Sequence, residues 1–204
     1  KKEPTEYPNK LSIFNQHKLI SSAAINLFAL YGIVMVVFSG FETTFSVYTN
    51  TKFLLNESQN SLLFLGIGLV AFVIQGSFTK IAFTSIKKAA LIALICMASG
   101  LILSNLFSSL ILSLSVLILL LFGFAIINTH VPAAVSKLST DHQGFLLGCY
   151  ESVGSIARII GPLLTYSILF NHINIMYSIL GIFLVVSLIV FSVTIKDHAF
   201  KSNA

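Results

Sequence analysis

Three ionisable side chains lie inside long apolar stretches of the chain: Glu42, Glu151 and Arg158. The last two belong to residues 144–170, GFLLGCYESVGSIARIIGPLLTYSILF. Wound as a helix, that stretch sets Gly144, Gly148, Glu151, Ser155, Arg158 and Pro162 within about 40° of one line. Leu146, Val153, Ile160 and Leu164 take the opposite side, which suits hydrocarbon. Within a membrane, charge is tolerated mainly where it faces protein or a water-filled cavity. The pattern predicts a helix whose polar stripe lines an internal cavity. Glu151 and Arg158 are two turns apart, a rise of about 10 Å, and Arg158 leans back toward Glu151 across Gly154 and Ser155. A direct or water-bridged pair fits. It would either neutralise charge structurally or bind and gate, since arginine suits bidentate recognition of an anionic group.

Glu42, in FSGFETTF, falls about 30 Å along a helix entering near residue 22, toward the outer part of the bilayer. It shares a line with Tyr31, Met35, Phe38 and Thr49. It is either a hydrated glutamate at the outer interface or a protonatable, cation-recognising carboxylate on a pathway. Gln75 lies within an apolar run, where an amide needs partners, so it is interhelical glue or a binding group. Asn128, Thr129 and His130 read as a polar inner helix end, with Asn128 also a binding candidate. There is no HExxH, P-loop or GxSxG motif and no visible nucleophile constellation. No enzyme, cofactor or metal site is expected. Cys96 and Cys149 have no metal-ligand spacing and read as buried free thiols.

The elements that must position these residues follow from composition. The chain has 204 residues, 56% hydrophobic and 9% charged, with mean hydropathy +0.94. Soluble domains carry about 25% charged residues, so the solvent expected here is lipid. Apolar runs cover 23–47, 61–78, 89–106, 110–131, 144–170 and 175–195. Each approaches the roughly 20 residues that cross a bilayer and lacks the alternation of barrel strands. The expected architecture is all-α and polytopic: a linker at 1–19, a six-helix transmembrane bundle at 20–196 and a tail at 197–204. Lys1, Lys2, Lys10, Lys18, Lys80, Lys87, Lys88, Lys137, Lys196 and Lys201 fall on one side, against Lys52 on the other. That asymmetry puts both chain ends in the cytoplasm. The net charge of +5 therefore reads as topology, not nucleic-acid binding.

The outer loops are expected at 48–60, 106–110 and 171–174, and Asn56-Glu57-Ser58 is a glycosylation sequon, either occupied or an unmodified turn. Gly66, Gly68, Gly123, Gly144 and Gly148 suit close helix packing. Pro132 is expected to end or kink its helix, and Gly161-Pro162 to bend the helix carrying Arg158. The chain begins Lys1-Lys2-Glu3-Pro4, which suggests a piece of a longer protein.

The residues also resemble a family. Gln143, Gly144, Gly148 and Ser152, followed by Arg158-Ile159-Ile160-Gly161-Pro162, are similar to the eleventh helix of twelve-helix drug/proton antiporters of the major facilitator superfamily. Gly40-Phe41-Glu42-Thr43-Thr44 resembles the seventh helix of its tetracycline transporter-like branch, and Ile74-Gln75-Gly76 the end of the eighth. Residues 123–132 with Ser136 are similar to the end of the tenth. Glu151 departs from the pattern, where that place is more often basic or neutral. The resemblance implies the C-terminal six helices, two inverted three-helix repeats, packed in life against a missing N-terminal half. It implies a secondary transporter of small organic ions or drugs working by alternating access, with proton coupling left open, and Arg158 and Glu42 near a central cavity. The rival reading is a membrane interaction or scaffold protein that does not transport.

Overall fold

The computed structural model describes residues 20–78, 85–139 and 141–194. Within them run six long helices: α1 (Ser22–Phe53), α2 (Glu57–Phe78), α3 (Ile86–Leu106), α4 (Leu110–Ser136), α5 (Gln143–Leu164) and α6 (Ile173–Thr194). Five of these (α1 to α4 and α6) are long and apolar enough to cross a membrane. The sixth, α5, carries Glu151 and Arg158. Lys80 and the lysines of both chain ends lie outside the described residues.

Local chemistry fixes the helix ends. The Ser21 hydroxyl accepts from the Ala24 N–H at 3.2 Å and starts α1. Leu54 stops it in the left-handed region (φ 57°), its N–H donating to the Asn50 carbonyl. Asn56 then caps α2 reciprocally. Its Oδ1 accepts from the Gln59 N–H at 2.9 Å, and Gln59 Oε1 accepts from the Asn56 N–H at 3.0 Å. The outer connection, expected at 48–60, shrinks to Leu54, Leu55 and Asn56, and the sequon asparagine is an exposed helix cap.

Neither Pro132 nor Pro162 ends its helix. Helix α4 runs through Pro132 to Ser136, and α5 runs through Pro162 to Leu164. Each ring removes one hydrogen bond, to the carbonyl of Asn128 or of Arg158, without ending the helix. Beyond Pro162, the Thr165 hydroxyl donates to the Gly161 carbonyl at 3.0 Å and the Pro162 carbonyl at 3.1 Å. The change of winding comes later, in a π-helical turn (Thr165–Leu169) and a 3₁₀ turn (Phe170–His172) leading into α6. Asn128, Thr129 and His130 are consequently half-buried within α4, not at its end.

The core gathers in three extensive seams, α3 on α4, α1 on α5 and α3 on α6. Close approach depends on glycine. A Cβ on Gly123 would strike the Ala93 carbonyl and Met97, and one on Gly100 would lie 2.7 Å from the Leu120 nitrogen. At the α1 C-terminus Lys52 binds the last carbonyls of α3, Ser104 at 3.2 Å and Asn105 at 2.9 Å, and also the Tyr48 hydroxyl at 2.9 Å. The Ser104 carbonyl further accepts from Tyr48 and Ser113, and Asn105 donates to Ser178 of α6. Lys52 thus closes a helix C-terminus, where a cation is favoured. Helix α2 stands apart, burying only Asn60 and Ile74.

Candidate functional site

Helix α5 has three sides. Leu146, Tyr150, Gly154, Ala157 and Gly161 are buried. Gly154 and Gly161 meet α1 directly: a Cβ on Gly161 would strike Ser39 and the Val36 carbonyl, so the two backbones touch. Gly144, Gly148, Glu151, Ser155 and Arg158 are exposed along a second side, and Pro162 is half-buried. Ile156, Ile159, Ile160 and Leu163 form a third, apolar and exposed. The expected back face therefore divides: Leu146 belongs to the interior, whereas Ile160 and Leu164 remain exposed.

Among the described residues no ion pair joins Glu151 to Arg158. Two turns of helix are too far for a direct contact. The Tyr31 ring of α1 lies across Gly154, where a Cβ would come 2.5 Å from a ring carbon and 3.0 Å from the hydroxyl. It stacks on Tyr150 with centroids 3.8 Å apart and planes at 19°. The Tyr150 hydroxyl is buried without a well-formed hydrogen bond.

Helix α1 runs alongside α5 in the same direction, with Tyr31 against Tyr150, Ser39 donating to the Ala157 carbonyl, and Tyr166 donating to the Thr43 carbonyl at 3.0 Å. That register sets Glu151, Arg158 and Glu42 at successive depths. Glu42 is exposed, one turn beyond Phe38, whose ring stacks on Phe124 of α4 at 3.6 Å. Tyr31, Met35 and Thr49, expected to share its line, are buried instead. Gln75 is exposed on α2 next to buried Ile74. No side-chain hydrogen bond ties Asn128 or Gln75 to the α5 stripe among the described residues. Tyr31 and Tyr150 escaped sequence reasoning as a pair. The available signal was a tyrosine directly preceding Glu151, and another on the line drawn through Glu42.

An apolar crevice of about 330 Å³ opens between α2 and α4, floored by Phe41 and bordered by Gly66 and Leu117. It contains none of the charged candidates. Cys96 and Cys149 are free, and no group of metal-ligating side chains occurs among the described residues.

Long apolar helices around one core, with isolated charges held at mid-helix, define a multi-pass integral membrane protein. No protein-family model matches the chain. It is 26% identical over 178 residues to the quinolone resistance protein NorA of Staphylococcus aureus, covering 82% of this chain and 42% of that protein. It is 30% identical over 142 residues to human major facilitator superfamily domain-containing protein 10, covering 68% of this chain and 31% of that protein. The crystal structure of the human organic anion transporter MFSD10 superposes with a TM-score of 0.76 at 24% identity, over 83% of this chain and 41% of that one. The chain spans less than half the length of these relatives. In sequence and fold it is similar to one half of major facilitator superfamily proteins.

Proposed function

We propose that the chain is the C-terminal half of a secondary transporter for small organic ions, in the tetracycline transporter-like branch, working by alternating access against a second six-helix bundle. In this reading all six helices span the bilayer. Arg158 meets an anionic group of the substrate, Glu151 and Glu42 take up a proton or a cationic group, and Gln75 and Asn128 add polar contacts. The observation that supports it is the three-sided α5. The helix keeps two charges exposed where hydrocarbon would cost about 2.5–3.5 kcal/mol for each. A facing bundle turns that side into a cavity wall, since transporter sites lie near the midplane between repeats. Gly144 and Gly148 have open space around them, which suits close approach by such a bundle. The lysines favour both ends in the cytoplasm: Lys87, Lys88 and Lys137 sit at one end of the bundle, and Lys52 at the other is held by carbonyls.

The test is uptake into proteoliposomes holding the full-length protein. Carboxyfluorescein and tetraethylammonium serve as organic-anion and organic-cation probes, with and without a pH gradient. Saturable uptake of one probe is expected, and its response to the gradient decides proton coupling. Uptake no faster than in protein-free vesicles, from correctly folded protein, counts against the reading.

A further inference from the structure

We infer that the backbone carbonyl of Arg158 is a binding group, held open by Pro162 to accept a hydrogen bond from a protonated amine. The inference rests on the reading that the Arg158 side of α5 faces the substrate cavity. In a helix the carbonyl of residue 158 is closed by the N–H of residue 162, and proline has none. Helix α5 nevertheless runs on to Leu164, so the carbonyl keeps its helical direction without its partner. Hydroxyls serve the carbonyls around it. Ser152 donates to Gly148 at 2.8 Å, Ser155 to Glu151 at 2.9 Å, and Thr165 to Gly161 and Pro162 at 3.0 and 3.1 Å. Among the described residues no side chain donates to the Arg158 carbonyl, although its helical donor is the missing one. In hydrocarbon such a group is costly, and a neighbouring side chain or water is the usual remedy. Here the opening lies between Arg158, which is exposed, and Pro162, which is half-buried, on the stripe that starts at Gly144. It meets whatever fills the cavity.

The surroundings choose the donor. The Arg158 side chain leans toward the N-terminus of α5, whereas helix carbonyls point toward the C-terminus. One residue therefore offers a cation in one direction and an acceptor in the other. On α1 two hydrogen bonds bracket this level. Ser39 donates to the Ala157 carbonyl at 3.5 Å, and the Thr43 carbonyl accepts from Tyr166 at 3.0 Å. Glu42 lies between those two α1 residues and is exposed. Carbonyl and carboxylate both accept, and the carboxylate adds a full negative charge, which favours a charged donor over a neutral one. The charge of an amine meets Glu42 while its N–H meets the carbonyl. A quaternary ammonium carries the charge but lacks the N–H.

The test compares triethylammonium with tetraethylammonium, alike in charge and nearly in shape but different in that N–H. Their dissociation constants are measured by titration calorimetry on the purified full-length protein, beside uptake of tetraethylammonium and carboxyfluorescein into proteoliposomes. Wild type should bind triethylammonium about tenfold more tightly, the scale of a hydrogen bond made by a charged group. Pro162→Ala restores the N–H of residue 162 and closes the carbonyl. It should bring the two constants together and leave that of tetraethylammonium unchanged; differences in hydration cancel between the two proteins. Glu42→Gln should weaken both ions and keep their ratio. Equal binding in wild type, binding of neither ion, or a preference that survives Pro162→Ala overturns the acceptor role, and the transport reading stands if carboxyfluorescein is still taken up. A preference lost in Pro162→Ala, in a protein that takes up neither probe, keeps the acceptor role and removes the transport reading.

Discussion

The α1–α5 and α3–α4 seams are built by one device and put to different uses. In each, a glycine removes the side chain that would hold two backbones apart: Gly161 against Val36 and Ser39, Gly123 against the Ala93 carbonyl. Lipid gives little hydrophobic drive between helices, so such contact is what holds them. The difference lies on the remaining surfaces. Away from their seam α3 and α4 present Ile92, Ile95, Leu103, Ile111, Leu112 and Leu119, which hydrocarbon covers without cost. Away from its seam α5 presents Glu151 and Arg158. The α3–α4 seam anchors the bundle, and the α1–α5 seam holds charge at a fixed place while being anchored itself. Packing residues and site residues therefore occupy different sides of α5, and their substitutions should separate.

The largest effects should come where the two seams are alike. Gly161→Val and Gly123→Val each force a branched side chain into backbone, and overpacking on this scale costs about 1–3 kcal/mol or more. Both should lose most folded protein by size-exclusion of the detergent-solubilised full-length chain. Survival of one but not the other would break the likeness. Arg158→Ala should sharpen the contrast: uptake of the organic-ion probe falls to background while surface abundance and melting temperature stay near wild type. Lys52→Met touches neither seam but removes the clamp on the last turn of α3. Hydrogen bonds to a charged group suggest a loss of about 1.5–3 kcal/mol, read as a lower melting temperature with KM unchanged. Smallest of all is Gly66→Ala, on exposed α2 with nothing within 4 Å of a new Cβ. It should gain about 0.4–1 kcal/mol through reduced chain entropy and leave uptake unaltered.

The helices were legible because a run of about 20 apolar residues has few alternatives in lipid. Their ends were less so. Phe53 and Ser136 end helices that outlast the apolar runs by several residues, because Leu54 and Lys137 set the caps and hydropathy does not. Pro132 does not end its helix, since a helix held by its neighbours survives one missing hydrogen bond. The side carrying Glu151 and Arg158 could be read from spacing within one helix. Their surroundings could not: Tyr31 and Tyr150 are far apart in sequence, and nothing in either local pattern announces the stack. The side of α2 that carries Gln75 could not be read for the same reason, since an apolar run says nothing about which side is covered.

The central claim is that the Glu151–Arg158 side of α5 meets water while its isoleucine side meets lipid. Single cysteines at Gly148, Ser155, Ile156 and Ile160, placed in the full-length protein with Cys96 and Cys149 replaced by alanine, test this directly. A membrane-impermeant thiol reagent should label positions 148 and 155 rapidly and leave 156 and 160 unmodified. Rapid labelling at 156 and 160 with protection at 148 and 155 would contradict the account.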